Sequence, residues 1–414
     1  MTQTIPSASS NPALTPARER WLLLTLAAIN FTHILDFMIV MPLGPQLTAL
    51  FRISDTQFGL LVAAYTLAAG ASGLIATTYI DRFERKTLLL WLYAAFALST
   101  LACGLAPTYG ALMAARIAAG VFGGVMGALV QTIVGDAIPF ERRGRAMGVV
   151  MASFSLATVA GVPVSLWMAN ARGWHAPFFG IALSCVVVGA AALRALPRLD
   201  GHRAGTQRRS ALANLAAVLR EANHWHALAL TVLVMAAGFS IIPFITIYAT
   251  ANLGIAASEV PLIYLAGGIA TLFTARLWGR LADSWGKVRT FRMLALVAML
   301  PMLALTHMPP APLWLFIGVT TLFFVFVSGR MIPSMAIITS ATTTSLRGTF
   351  MSLNAAVQSA AMGVAALIGG LLIHRDAAGR VEGYQWAGWL SVLLSLLAVA
   401  WVARVRLNVT PASA

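Results

Sequence analysis

Two short charged loops divide this chain into like halves. The first is Asp81-Arg82-Phe83-Glu84-Arg85-Lys86, and the second runs from Gly279 through Asp283, Gly286 and Lys287 to Arg289. Asp81 and Asp283 stand 202 residues apart in a chain of 414. Each loop follows one long apolar run and precedes another. A polar motif that recurs once per half, at the same place among such runs, means two copies of one unit. Apolar runs of this length cross a bilayer. Paired copies of a membrane unit are the plan of many secondary transporters.

The runs fall at about 21–47, 56–80, 87–106, 109–138, 146–168 and 175–197, then at 226–252, 258–281, 290–308, 312–340, 348–373 and 384–405. Only 10% of residues are charged, against roughly 25% in a soluble domain, so the bilayer is the solvent. The expected fold is an all-α membrane protein with 12 transmembrane helices in two pseudo-symmetric six-helix bundles. Residues 1–19 read as a disordered cytoplasmic leader, 20–197 and 225–406 as the bundles, 198–224 as a cytoplasmic linker and 407–414 as a cytoplasmic tail. An amphipathic helix is expected around Ala211–Arg220, lying on the anionic leaflet.

The net charge of +15 invites a nucleic-acid reading, but its distribution refuses it. With the N-terminus inside, 21 Lys and Arg fall on the cytoplasmic side and four (Arg52, Arg172, Arg375, Arg380) on the other. That bias sets orientation. Both termini are expected to be cytoplasmic, in an inner, cytoplasmic membrane. Cys103 and Cys185 lie inside apolar runs and imply no disulfide framework.

The motifs now carry a resemblance. Gly279, Asp283, Gly286, Lys287 and Arg289 match the loop signature Gly-x-x-x-Asp-(Arg/Lys)-x-Gly-(Arg/Lys)-(Arg/Lys). The first loop keeps Asp81, Arg82, Arg85 and Lys86, with Thr77 and Glu84 where the signature has Gly. Arg116-Ile117-Ala118-Ala119-Gly120 is similar to a fourth-span Arg-x-x-x-Gly motif. Glu141 to Ala146 is similar to the loop after it, and Arg347-Gly348 repeats that loop. Gly161-Val162-Pro163 is similar to an antiporter motif of the fifth span, with Val162 intervening. On these residues the chain resembles the major facilitator superfamily, in its twelve-span drug/sugar:proton antiporter branch, including arabinose-efflux-type permeases. The resemblance implies alternating access between two rocking bundles, driven by a proton gradient and no other cofactor.

Asp36 is the acid well inside the first half's spans, about sixteen residues or ~24 Å along the first run. A charge at that depth costs at least ~2.5–3.5 kcal/mol and needs a partner or a proton. Arg116, within ~6 Å of it in depth by helical rise, is the expected partner. Antiporters of the resembled family likewise place an acid in the first span and an Arg in the fourth. A static Asp36–Arg116 pair that only holds the bundle is the alternative. Asn30 and His33 extend the polar face towards Asp36, and His33 is a second titrating candidate. A lone His in a span is more often a hydrogen-bonded cavity residue.

Asp136 is expected to meet Arg85, and with Asp81 either to latch the cytoplasmic face or to form an ordinary interfacial salt bridge. Arg330 has no acid of its own half at its depth. It binds a polar or anionic substrate, or reaches carbonyls at a broken helix near Pro333. Arg276 is expected to snorkel to the cytoplasmic face. Other cavity candidates are Tyr65, Gln131, Phe239, Ser240, Asn354 and Gln358; the last two share a helical face.

There is no phosphate-cradling Gly-Lys-Ser/Thr loop, no Cys/His metal spacing and no nucleophile–base set. An enzyme and a metal site are therefore not expected. The expectation is proton-coupled efflux of small amphipathic, drug- or sugar-like compounds by a monomer. Its partners are a small-molecule substrate, protons and the lipid bilayer, with no nucleic acid. Proton-coupled uptake of a small metabolite is the alternative, and a non-transporting membrane sensor on the same fold is a remote one.

Overall fold

The computed structural model describes residues 15–197, 211–343 and 346–407. Expectations for the leader, for residues 198–210 of the linker and for most of the tail lie outside the described residues. Twelve helices among them are long and apolar enough to cross a membrane. In chain order they are Pro16–Ile39, Asp55–Ala76, Arg85–Leu105, Tyr109–Ala137, Arg145–Arg172, Ala176–Ala195, Ala222–Asn252, Val260–Ser284, Lys287–Thr306, Leu313–Ser340, Arg347–Leu372 and Tyr384–Arg404. These are spans 1 to 12. An even number brings both ends of the described chain to one side, here called the terminal face; the other is the distal face.

Local chemistry starts the helices. Thr15 caps span 1 through the Arg18 amide, with Pro16 at the first helical position, so that helix begins before the expected bundle boundary. Ser54 and Gln57 form a capping box at span 2. Thr108 caps span 4 through the Ala111 amide. The outward faces are apolar: Trp91, Phe273, Leu300 and Trp314 are all exposed, as lipid contact requires.

Three spans are interrupted. Span 5 carries one π-helical turn at Ala157–Gly161, just ahead of Pro163. Span 7 breaks after Phe239, with a 3₁₀ turn at Ile242–Phe244 around Pro243. Span 10 breaks at Arg330, between Leu313–Gly329 and Met331–Ser340. Span 1 ends at Ile39, and a short helix, Gly44–Phe51, continues it.

The two bundles meet along a seam of small residues between spans 2 and 11. A Cβ at Gly59 would stand 2.7 Å from the Ala366 carbonyl oxygen, and one at Gly70 2.9 Å from that of Ala356. Spans 5 and 8 form the second seam, where a Cβ at Gly268 would stand 2.9 Å from the Val159 Cα. Backbones approach this closely only where side chains are absent.

The distal face is tied shut across the seam. Arg375, in a hairpin of His374–Arg375 with Val381–Glu382, donates to both carboxylate oxygens of Asp55 at 3.0 and 3.1 Å. Thr56 Oγ1 donates to the Gly370 carbonyl, and Asn170 Nδ2 to that of Ala257. Phe58 packs edge-on against Phe244 beneath these ties.

On the terminal face the helix Ala211–Arg220 forms where the sequence predicts it. Its Val218 is fully buried in a cluster with Leu228, Phe350 and Val402, against which Leu215 and Leu74 of span 2 also pack.

Candidate functional site

Asp36 and Arg116 are the most completely buried charges of the first half. Arg116 Nη1 donates to Asp36 Oδ2 at 2.8 Å and to the Asp36 carbonyl at 3.1 Å. Thr100 Oγ1 donates to Asp36 Oδ1 at 3.1 Å. The Arg116 guanidinium lies over the Tyr65 ring, 4.2 Å from its centroid. Asp36 is 0% and Arg116 1% exposed, so the pair has no water to share. Spans 1, 3 and 4 thus converge on one carboxylate, and span 2 supplies the ring under the guanidinium. The carboxylate is held by one guanidinium and one hydroxyl donor.

Tyr65 connects this pair to a set of rings. It stacks on Phe37 (centroids 5.5 Å, 25° between planes) and on His33 (6.3 Å, 27°). Phe37 in turn stacks on Phe239 of span 7 (6.1 Å, 23°). His33 also meets the edge of Phe96 at 5.8 Å. The His33 Nε2 and the Tyr65 hydroxyl are buried and have no hydrogen-bond partner among the described residues. Gly123 makes room for both: a Cβ there would stand 2.6 Å from the His33 ring and 3.0 Å from the Tyr65 hydroxyl.

Other candidates serve helix contacts. Asn30 Nδ2 donates to Ser153 Oγ at 2.8 Å, tying span 1 to span 5. Asn354 accepts from Thr231 Oγ1 at 2.5 Å, tying span 11 to span 7; Gln358, one turn on, is half-buried. Ser240 is buried at the break of span 7 and turns its hydroxyl back to the Ala237 carbonyl. Gln131 is exposed.

Arg330 is buried at the break of span 10. It donates to Ser395 Oγ at 2.8 Å and to the Val234 carbonyl at 3.3 Å, so the carbonyl it reaches belongs to span 7 rather than to the turn near Pro333. Arg276 is exposed. A recess of about 530 Å³ on the terminal face, lined by Glu221, Asn223, His226, Arg404 and Arg406, lies far along span 7 from the ring set.

The two loops differ as their sequences do. Arg85 is buried; its Nε donates to Asp136 Oδ2 at 3.1 Å and its Nη1 to the Ile80 carbonyl. Lys86 Nζ donates to the Leu193 carbonyl, and Arg82 is exposed. The Asp81 side chain lies outside the described residues. In the second loop Gly279 has open space around it, Asp283 and Arg289 are exposed, and Lys287 is half-buried. Gly286 has φ +99°, a turn that only Gly adopts without strain. At the matching place the first loop has Glu84, which takes an ordinary φ of −67° and caps span 3 through the Lys86 and Thr87 amides. The missing Gly is answered by a different start to the next helix.

Phe37 and Thr100 carry no charge, and nothing in their local sequence marks them as site residues. One signal for Phe37 is present at longer range: it stands 202 residues before Phe239, the interval between Asp81 and Asp283.

A family model described as Major Facilitator Superfamily matches residues 26–311 and 227–413. The MFS-type transporter YceJ of Bacillus subtilis is 26% identical over 373 residues, covering 88% of this chain and 92% of that one. A probable sugar efflux transporter of Helicobacter pylori is 23% identical over 85% of this chain and 86% of its own. Among solved structures, a bacterial homolog of the human lysosomal transporter Spinster superposes with a TM-score of 0.76 at 15% identity, over 96% of this chain and all of that one. A D-xylose–proton symporter superposes at 0.74 and 15% identity, over 93% and 97%. At such identities these two structures speak for the fold.

Proposed function

Since the chain belongs to the Major Facilitator Superfamily, we propose that this multi-pass membrane transporter is a proton-coupled exporter of small amphipathic compounds. It sits in an inner membrane with its terminal face cytoplasmic, and works as a monomer. The observation that carries the reading is the Asp36–Arg116 pair, buried where spans 1 to 4 converge. Protonation of Asp36 removes the charge that holds Arg116, and the first bundle is then free to repack. When access alternates, the proton leaves on the other side and the pair re-forms. Coupling follows because the two protonation states favour different packings of the same helices.

The test is transport in proteoliposomes carrying an imposed proton gradient, run in both directions with a panel of amphipathic and sugar-like solutes. Asp36→Asn is expected to abolish gradient-driven accumulation while leaving exchange at equal concentrations intact. Full accumulation by Asp36→Asn would overturn proton coupling through this residue. The direction of accumulation decides between export and the alternative of uptake, which Val162 within the Gly161–Pro163 motif keeps in view.

A further inference from the structure

From the ring set we infer that Phe37 and Phe239 are the two walls of a substrate slot, and that the substrate carries a planar aromatic or conjugated ring system. The inference deepens the proposed export function by naming a ligand class and rests on that reading only for its physiological direction.

Three observations carry it. First, the two rings come one from each bundle, 202 positions apart, and lie close to parallel across the interface. Two bundles that rock must separate at such a contact. When they do, two parallel ring faces are exposed to each other, and a flat ring between them recovers what the pair loses. Second, both rings are only half-buried, whereas Phe58, Phe244 and Ile247, nearer the distal face, are fully buried. The two rings are where closed packing ends. Third, the neighbouring polar atoms are unspent. The Tyr65 hydroxyl and the His33 Nε2 are buried without partners among the described residues, and Tyr65 touches the Phe37 ring. Buried polar groups are nearly always paired, so these two are a ready anchor for a ligand's hydroxyl, amine or carbonyl.

The same contacts reach the ion pair. Phe37 rests on Tyr65, and Tyr65 holds the Arg116 guanidinium on its face. A ligand that moves Phe37 therefore disturbs the surface on which Arg116 lies. Tyr65 thus positions Arg116 through its ring face and meets the ligand through its hydroxyl.

The test is equilibrium binding to the purified full chain in detergent, without any gradient, using tritiated 2-naphthalenemethanol. Its fully saturated analogue, decahydro-2-naphthalenemethanol, serves as competitor. Saturable binding is expected, with the saturated alcohol competing at least about fivefold more weakly because it lacks a ring face. Phe37→Leu and Phe239→Leu should each weaken binding about fivefold, and Phe37→Trp should retain it. Absence of saturable binding, equal competition by the saturated alcohol, or wild-type affinity in both Leu variants overturns the proposal. Should the Leu variants fail to fold, the competition on the wild-type chain decides alone. A protein that binds the probe as expected but shows no proton-driven flux keeps this slot and loses the export reading.

Discussion

Removing Arg116 strands the Asp36 carboxylate in a medium that cannot solvate it, whereas Asp36→Asn still offers the guanidinium an amide oxygen. Arg116→Ala should therefore destabilise the protein by about 3–5 kcal/mol, the usual penalty for a broken buried pair. The Asp36→Asn/Arg116→Gln double variant should recover most of that loss. Thermal unfolding midpoints in detergent measure both; a double variant no better than Arg116→Ala would contradict the account. Tyr65 separates two roles. Tyr65→Phe keeps the ring face beneath Arg116 but removes the hydroxyl anchor, so it should weaken substrate binding while leaving proton coupling intact. Tyr65→Leu removes a desolvated cation–π contact worth ~2 kcal/mol and should slow gradient-driven flux several-fold. At this scale the charges are legible in the sequence, because a charge inside an apolar run must find a partner and helical rise nearly fixes its depth. Phe37 is not legible there. A Phe among apolar residues is the ordinary case, and what marks it out is a ring contributed by the other bundle. Asn354 is intermediate: its polarity says that it faces protein, but not that Thr231 is what it finds.

Helix elements are held here by absence of side chains as much as by their presence. Gly124 is among the tightest points: a Cβ there would stand 2.1 Å from the Ala69 carbonyl oxygen, a distance no flexible atom can relieve. Gly124→Ala should push spans 2 and 4 apart and cost about 1–3 kcal/mol, read as a lowered unfolding midpoint. Gly127, with open space around it, should accept Ala with no such loss. The twelve spans and the helix at Ala211–Arg220 are legible because apolar length and amphipathic spacing are local properties. The breaks are legible only in part. Pro243 announces the turn in span 7, whereas the π-helical turn at Ala157–Gly161 precedes Pro163 and depends on how span 5 lies against span 8. Contacts between distant parts of a chain leave little trace in local pattern.

The whole molecule is closed at its distal face, and the Asp55–Arg375 pair is the charged part of that closure. Residues 320 positions apart, one at the first turn of span 2 and one in the hairpin after span 11, give no hint of each other in the sequence. Arg375→Gln should let the distal face part more often. A cysteine introduced at Ile247, where Gly44 now packs, should then react faster with a membrane-impermeant maleimide. The native Cys103 and Cys185 are buried and contribute little background. Equal reaction rates with and without Arg375 would show that apolar packing alone seals that face. The pair has a further property. Asp55 is 1% exposed but Arg375 is 40% exposed, so the closure is half inside the protein and half in the bathing solution. The Debye length falls from about 10 Å at 0.1 M salt to about 3 Å at 1 M, and mobile anions then compete with Asp55 for the guanidinium. Ionic strength on that side of the membrane becomes a load on the conformational equilibrium. Brine at the distal face should hold that face open for longer than dilute medium does, with no change in ligand or fold.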